Sequence, residues 1–151
     1  MLDLAGNDVH AGARYGHGAS AHHGVGLFID ARGHDHYLSS GPFYNGGTAW
    51  DLSVSLCIDA DVGDDVYDLS RSDGLGRADH RSWSLFIDEG GRDRYAVPRG
   101  LGAATDRSVS GFLDLAGDDE YLAPPTSRLA PRGNGREWSD DNGSVFIDRK
   151  G

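Results

Sequence analysis

One element recurs along the chain and restricts its folding more than any other property. An apolar run ends on aspartate, a glycine-containing turn follows, and then come a second aspartate and a ring. The copies read "LDLAGNDVH", "LFIDARGHDHY", "LCIDADVGDDVY", "LFIDEGGRDRY", "FLDLAGDDEY" and, truncated, "VFIDRKG". The aspartates that end the runs are Asp3, Asp30, Asp59, Asp88, Asp114 and Asp148, with spacings of 27, 29, 29, 26 and 34 residues. The shared pattern is D-x-x-G-x-D-x-[YH], with one extra residue in the "DADVGDDVY" copy. Self-similarity at such a period marks stacked units, none of which buries its apolar face alone.

Upstream of each anchor aspartate the chain alternates with period two, as a β-strand does. Val25, Val54, Trp83 and Val109 form one column, Leu27, Leu56, Leu85 and Val145 a second, and Ile29, Ile58, Ile87, Leu113 and Ile147 a third. This pattern assigns the Val, Leu and Ile columns to the buried face. It leaves Phe28, Cys57, Phe86, Phe112 and Phe146 on the opposite face, against a neighbouring element or in a ladder of their own. The connections between copies hold most of the Gly, Pro and Ser punctuation. The longest, with Pro124, Pro125 and Pro131, is expected to be an exposed loop.

These features predict an all-β repeat domain over 1–151, a parallel β-solenoid of about five coils. Its repeats are about 2–26, 27–55, 56–84, 85–110 and 111–144, with a partial copy at 145–151. The alternative is antiparallel: each Gly-rich turn closes a hairpin, and the hairpins form a meander or propeller blades. The chain opens and closes inside a motif, so it reads as a piece of a longer array. Uncapped ends would expose sheet edges and invite end-to-end self-association.

Composition narrows the partners. The formal net charge is −10, which disfavours nucleic acid and anionic membrane surfaces. The single cysteine, Cys57, excludes an internal disulfide. No apolar stretch approaches the ~18 residues of a spanning helix, and no signal peptide is visible. Among the acids, 21 are Asp and 3 are Glu, a bias towards turns, caps and hard-cation sites.

Stacking would align the anchor aspartates in one column and Asp8, Asp35, Asp65, Asp93 and Asp119 in another. Two unit charges ~4.8 Å apart repel by ~3.5 kcal/mol at an effective dielectric near ~20. Turn N–H groups, interleaved arginines (Arg32, Arg92, Arg94) or a divalent cation must offset this. Ca²⁺ suits a mixture of carboxylate and carbonyl oxygens. The candidate ligands are Asp30, Asp35, Asp59, Asp61, Asp64, Asp65, Asp88, Asp93, Asp114, Asp118 and Asp119. "DADVGDD" and "LAGDDEY" combine the most carboxylates with the fewest nearby cations. The rival reading is that these aspartates only cap turns and keep the chain soluble.

"AGNDVH", "AGDDEY", "VGDDVY" and "GGRDRY" resemble the G-x-D-x-(large) half of the RTX nonapeptide, G-G-x-G-x-D-x-U-x. The resemblance implies a parallel β-roll, Ca²⁺ in the turns, and an extracellular or cell-surface location. It covers only short turn segments, and the period here is about three times longer than the RTX nine. "DADVGDD" also opens like an EF-hand loop but lacks that loop's closing Glu.

Other constellations carry less. His34 and His36 flank Asp35, but other copies put Arg92 and Arg94 there, which marks a variable, exposed position. His22, Asp51, His80, Asp106 and Asp140 form a column eight residues before the anchor that would serve a solenoid-type polysaccharide-acting enzyme if it broke the repeat; it follows the repeat instead. The serine columns read as hydrogen-bond ladders, and no G-x-S-x-G, phosphate loop or zinc spacing is present. Tyr37, Tyr67, Tyr95 and Tyr121, with Trp50, Trp83 and Trp138, either stack inside the wall or line a carbohydrate-binding face. The expected function is a structural or interaction repeat domain of an exported protein, stabilised by Ca²⁺. A glycan-binding module and a polysaccharide-acting enzyme are the alternatives.

Overall fold

A computed structural model describes residues 1–122 and 133–150. The connection expected to loop out after Tyr121 lies mostly outside these residues. The chain is all-β, and its parallel sheets stack as a β-solenoid of about five turns. The antiparallel arrangement is thereby excluded as the organising plan. No described helix is long and apolar enough to cross a membrane.

Each coil presents a long anchor strand: Val25–Asp30, Val54–Asp59, Trp83–Asp88, Val109–Gly117 and Ser144–Lys150. They pair in parallel, and the register sets Asp30, Asp59, Asp88, Asp114 and Asp148 one above another. After the Asp/Gly turn comes a shorter strand bearing the tyrosine: His36–Ser39, Val66–Asp68, Arg94–Ala96 and Glu120–Tyr121, with Val9–Gly12 in the first coil. These also stack in parallel, Tyr37 on Tyr67 on Tyr95 on Tyr121. The chain returns through two tight corners, each made of two consecutive left-handed residues. One set is Gly46–Gly47, Leu75–Gly76 and Leu101–Gly102; the other is His22–His23, Asp51–Leu52, His80–Arg81 and Asp106–Arg107. L-residues pay ~1–2 kcal/mol each in this region. Stacking offsets that, because corner amides bond to the next coil, as in His23 N–H to Asp51 O (3.0 Å) and Leu52 N–H to His80 O (3.0 Å).

The expected orientation of the anchor strands is inverted. Phe28, Cys57, Phe86, Phe112 and Phe146 point inward and are buried, together with the serine and aspartate columns. The Val, Leu and Ile columns point outward; Val25, Leu27, Val54, Trp83 and Val109 are 40–82% exposed. Both faces of the strand are apolar, so alternation alone does not choose between them. The interior chooses the face that satisfies its polar needs and packs rings. Phe86 stacks on Phe112 (5.2 Å) and Phe112 on Phe146 (5.0 Å). The tyrosines form a second ladder, at 4.7–4.9 Å. The two ladders meet edge to face, Tyr67 on Phe86 and Tyr95 on Phe112, in the geometry that ring quadrupoles favour. At the narrow end of the coil only a small side chain fits, and its hydroxyl has a partner: Ser55 donates to Thr48 O, Ser84 to Gly47 O and Ser110 to Gly76 O.

The last parallel strand does not leave its outer edge bare. Glu137–Ser139 pairs antiparallel with Ser144–Lys150 and covers it. At this edge the reversed strand occupies backbone groups that another coil of the same sheet would need.

Candidate metal centre

The anchor aspartates lie inside the coil, and Asp30, Asp59, Asp88, Asp114 and Asp148 are each no more than 2% exposed. Their position follows from the strand: two residues past an inward Phe or Cys, the side chain must also point in.

Each carboxylate is met by phenols. Tyr37 Oη lies 3.0 Å from Asp30 Oδ2 and 2.8 Å from Asp59 Oδ2. Tyr67 bridges Asp59 and Asp88 at 2.7 and 2.8 Å. Tyr95 bridges Asp88 and Asp114 at 2.8 and 3.0 Å. Tyr121 bridges Asp114 and Asp148. In the first coil His10 takes the tyrosine's place, with Nε2 2.9 Å from Asp30 Oδ2. This explains the [YH] of the repeat: the ring sits where a polar group must reach back to the anchor. The tyrosines therefore belong to the wall and form no exposed carbohydrate face.

Counting protons shows what the column needs. Four phenols make eight oxygen–oxygen contacts with carboxylates but own four protons between them. An ionised carboxylate only accepts. Either carboxyls retain protons or a cation offsets the excess negative charge. Burial, then the neighbouring Asp88, pushes the Asp59 carboxyl up to about 8. Burial pushes Asp65 up to about 7. Asp88, Asp93 and Asp114 are also raised, by burial first.

The second column is tied along the stack. The Asp8 amide donates to Asp35 Oδ1 (2.6 Å), Asp35 to Asp65 (2.5 Å), Asp65 to Asp93 (2.7 Å) and Asp93 to Asp119 (2.8 Å). So turn amides satisfy part of these carboxylates across coils, and within a turn the Gly90 amide donates to Asp88 Oδ1 (2.9 Å) and the Gly63 amide to Asp61 Oδ1 (2.5 Å). Several carboxylate oxygens of the two columns stay unmatched. Asp35 Oδ2, Asp59 Oδ1, Asp93 Oδ2, Asp114 Oδ1 and Asp119 Oδ2 are buried without a hydrogen-bond partner.

The two columns converge in three all-carboxylate groups: Asp59–Asp61–Asp65, Asp88–Asp93–Asp114 and Asp114–Asp119–Asp148. In each, one oxygen per residue lies within 4.8 Å of the others. Ligand oxygens around one Ca²⁺ at ~2.4 Å are at most ~4.8 Å apart, so each group is compact enough for a single ion to span. The group at Asp88, Asp93 and Asp114 is wholly buried. Asp30 instead joins Asp3 and His10, and Asp35 keeps to its own column. Asp64 and Asp118 stand apart and are exposed. Arg92 pairs with Asp64 (3.2 Å) and holds its carboxyl below the usual range, while Lys150 pairs with Asp118 (3.4 Å).

Removing one phenol tests the ladder. Tyr67→Phe deletes the hydroxyl that bridges Asp59 and Asp88, leaving Asp59 Oδ2 with Tyr37 and Asp88 Oδ2 with Tyr95 as the remaining phenol of each. It is expected to cost about 2–3 kcal/mol in chemical denaturation. A change under about 0.5 kcal/mol would contradict the hydrogen-bonded ladder.

Two histidines join mixed groups of the same spacing, His10 with Asp3 and Asp30 and His80 with Asp79 and Asp106, the latter on the exposed surface. His22 Nδ1 meets Asp51 (2.9 Å) and Trp50 donates to His80 Nδ1 (3.0 Å) on an exposed, regular surface. Asp79 Oδ1 also lies 3.1 Å from that Nδ1, and Asp106 Oδ2 lies 3.9 Å from Nε2. His34 accepts from the Asp64 amide. The Ser53, Ser82 and Ser108 hydroxyls accept amides from the adjoining coil, as ladder serines do. Sequence reasoning missed the tyrosines and His10 as partners of the anchors. The signal was present: every ring in that column carries a polar atom, and every ring in the phenylalanine column lacks one.

No family model matches the chain, and no curated protein or solved structure is similar to it.

Proposed function

We propose that this chain is a rigid structural or interaction repeat domain whose coils are clamped by Ca²⁺ between the two aspartate columns. The observation that carries the proposal is the set of buried carboxylate oxygens without donors at Asp59, Asp93 and Asp114. Turn capping alone leaves them unmatched, and a buried unpaired carboxylate is costly. A hard cation supplies what they lack, with Asp88, Asp93 and Asp114 as the best-buried ligand set and Asp59, Asp61 and Asp65 as the second. Asp30, Asp35, Asp64 and Asp118 fall outside both sets. Extracellular Ca²⁺ modules work at ~10⁻⁴–10⁻³ M, so an exported or cell-surface setting suits such a clamp.

Calorimetric titration of the metal-free chain with Ca²⁺ tests this. Saturable binding is expected, weakened at least tenfold in Asp93→Asn. Absence of binding heat, or an unchanged isotherm in Asp93→Asn, would overturn the clamp.

A further inference from the structure

The inversion that buries the carboxylates leaves a flat apolar face on an otherwise acidic molecule. Its three columns run across the five anchor strands and contain no ionisable side chain. Among the described residues nothing packs over it, as the exposure of Val25 (82%), Val109 (51%) and Trp83 (40%) shows. Soluble monomers rarely leave so continuous an apolar surface open.

We propose that this face is the contact through which two copies of the chain associate, sheet against sheet. Three physical facts select a second copy as the occupant. The first is charge. A basic partner would be drawn to the acidic remainder of the surface, but this face offers it no counter-charge; its complement is another uncharged face. The second is spacing. Side chains stand on a lattice set by ~4.8 Å between strands, and interdigitation across a sheet pair ~10 Å apart requires a partner with the same lattice. A second copy brings one, and a two-fold axis in the plane between the sheets makes the contact self-complementary. The third is area. Five strands ~4.8 Å apart and six residues of ~3.3 Å each span a rectangle of about 24 by 20 Å. Pairing two such faces buries roughly 1,000 Å² in projection and more as accessible surface, enough for a specific interface. The side chains outside the coil do not contribute to the interior ladders, so the contact is independent of whether a cation is bound.

Sedimentation equilibrium of the full chain between about 1 and 100 μM, with and without Ca²⁺, tests the proposal. A dimer is expected in both conditions. Leu56→Lys combined with Leu85→Lys should weaken it at least thirtyfold while leaving the far-ultraviolet dichroism unchanged. If that pair disturbs folding, Val54→Lys with Val109→Lys, at more exposed positions, takes its place. A wild-type chain that stays monomeric throughout would overturn the proposal. So would a dimer or longer polymer that survives the lysine variants, since association would then run through strand edges or another face.

Discussion

Phe112→Ala is expected to destabilise the protein by about 3–5 kcal/mol, and Leu56→Ala by less than about 1 kcal/mol. The two residues sit on adjacent columns of the same sheet, and hydropathy alone ranks them as equals. The structure separates them. Phe112 is fully buried, stacked between Phe86 and Phe146 and met edge-on by Tyr95. Removing its ring breaks both ladders at once and leaves a cavity that its stacked neighbours cannot close without losing register. Leu56 points outward and is already partly in solvent. Urea unfolding of the two variants, measured at a concentration where the chain is monomeric, reads the difference directly. The reverse ranking would place the Val, Leu and Ile columns in the core and refute the orientation of every anchor strand.

The second large effect is on pH dependence, and its sign depends on the cation. Without Ca²⁺ the buried carboxyls keep protons that the unfolded chain gives up near pH ~3.9. For Asp59 and Asp65 the folded values are raised to about 8 and about 7. The stability linked to these protons is fully present below the unfolded value. It is lost as pH rises through the folded values, because the native state then binds more protons than the unfolded one. Each retained proton contributes a slope of about 1.4 kcal/mol per pH unit. In chelator, therefore, unfolding free energy should fall by several kcal/mol from pH 5 to pH 8. In saturating Ca²⁺ the clamped carboxylates are ionised in the native state, so the decline over this range should flatten or reverse. Denaturation curves at pH 5, 6.5 and 8 in both conditions check this. Parallel declines with and without Ca²⁺ would leave protons, not the cation, as what satisfies the ladder.

The architecture was legible because the period was. Six anchor aspartates at near-constant spacing, with Ser, Phe and Tyr in fixed places around them, describe a coil and its register before any coordinate is known. The direction of the strand faces was not legible, because Val–Leu–Ile and Ser–Phe–Asp alternate with equal regularity and both contain large apolar groups. What decides between them is a long-range fact. The Tyr67 hydroxyl can reach Asp59 and Asp88 only if both lie inside. The corners were hidden for a local reason. His22–His23 and Asp106–Arg107 adopt left-handed backbone without the glycine that normally announces it, held by amides of the adjoining coil. Of the candidate ligands, Asp59, Asp65, Asp88, Asp93, Asp114 and Asp119 on the two inward columns converge, with Asp61 beside Asp59 and Asp65, whereas Asp64 and Asp118, one residue before Asp65 and Asp119, alternate outward to Arg92 and Lys150. The same two-residue period that revealed the strands separates these carboxylates.

The proposed Ca²⁺ clamp between the aspartate columns has a direct thermal readout. Thermal unfolding followed by circular dichroism tests it most directly, with 5 mM Ca²⁺, 5 mM Mg²⁺ or chelator at fixed ionic strength and pH 7.5. Binding at about 100 times Kd adds ~2.7 kcal/mol, a rise in Tm of several degrees. The clamp predicts that rise with Ca²⁺ and a much smaller one with Mg²⁺, which demands near-ideal octahedral geometry and gives up its waters reluctantly. Superimposable curves in all three would contradict it and leave a metal-free solenoid whose buried carboxyls are held by tyrosine and by their own protons.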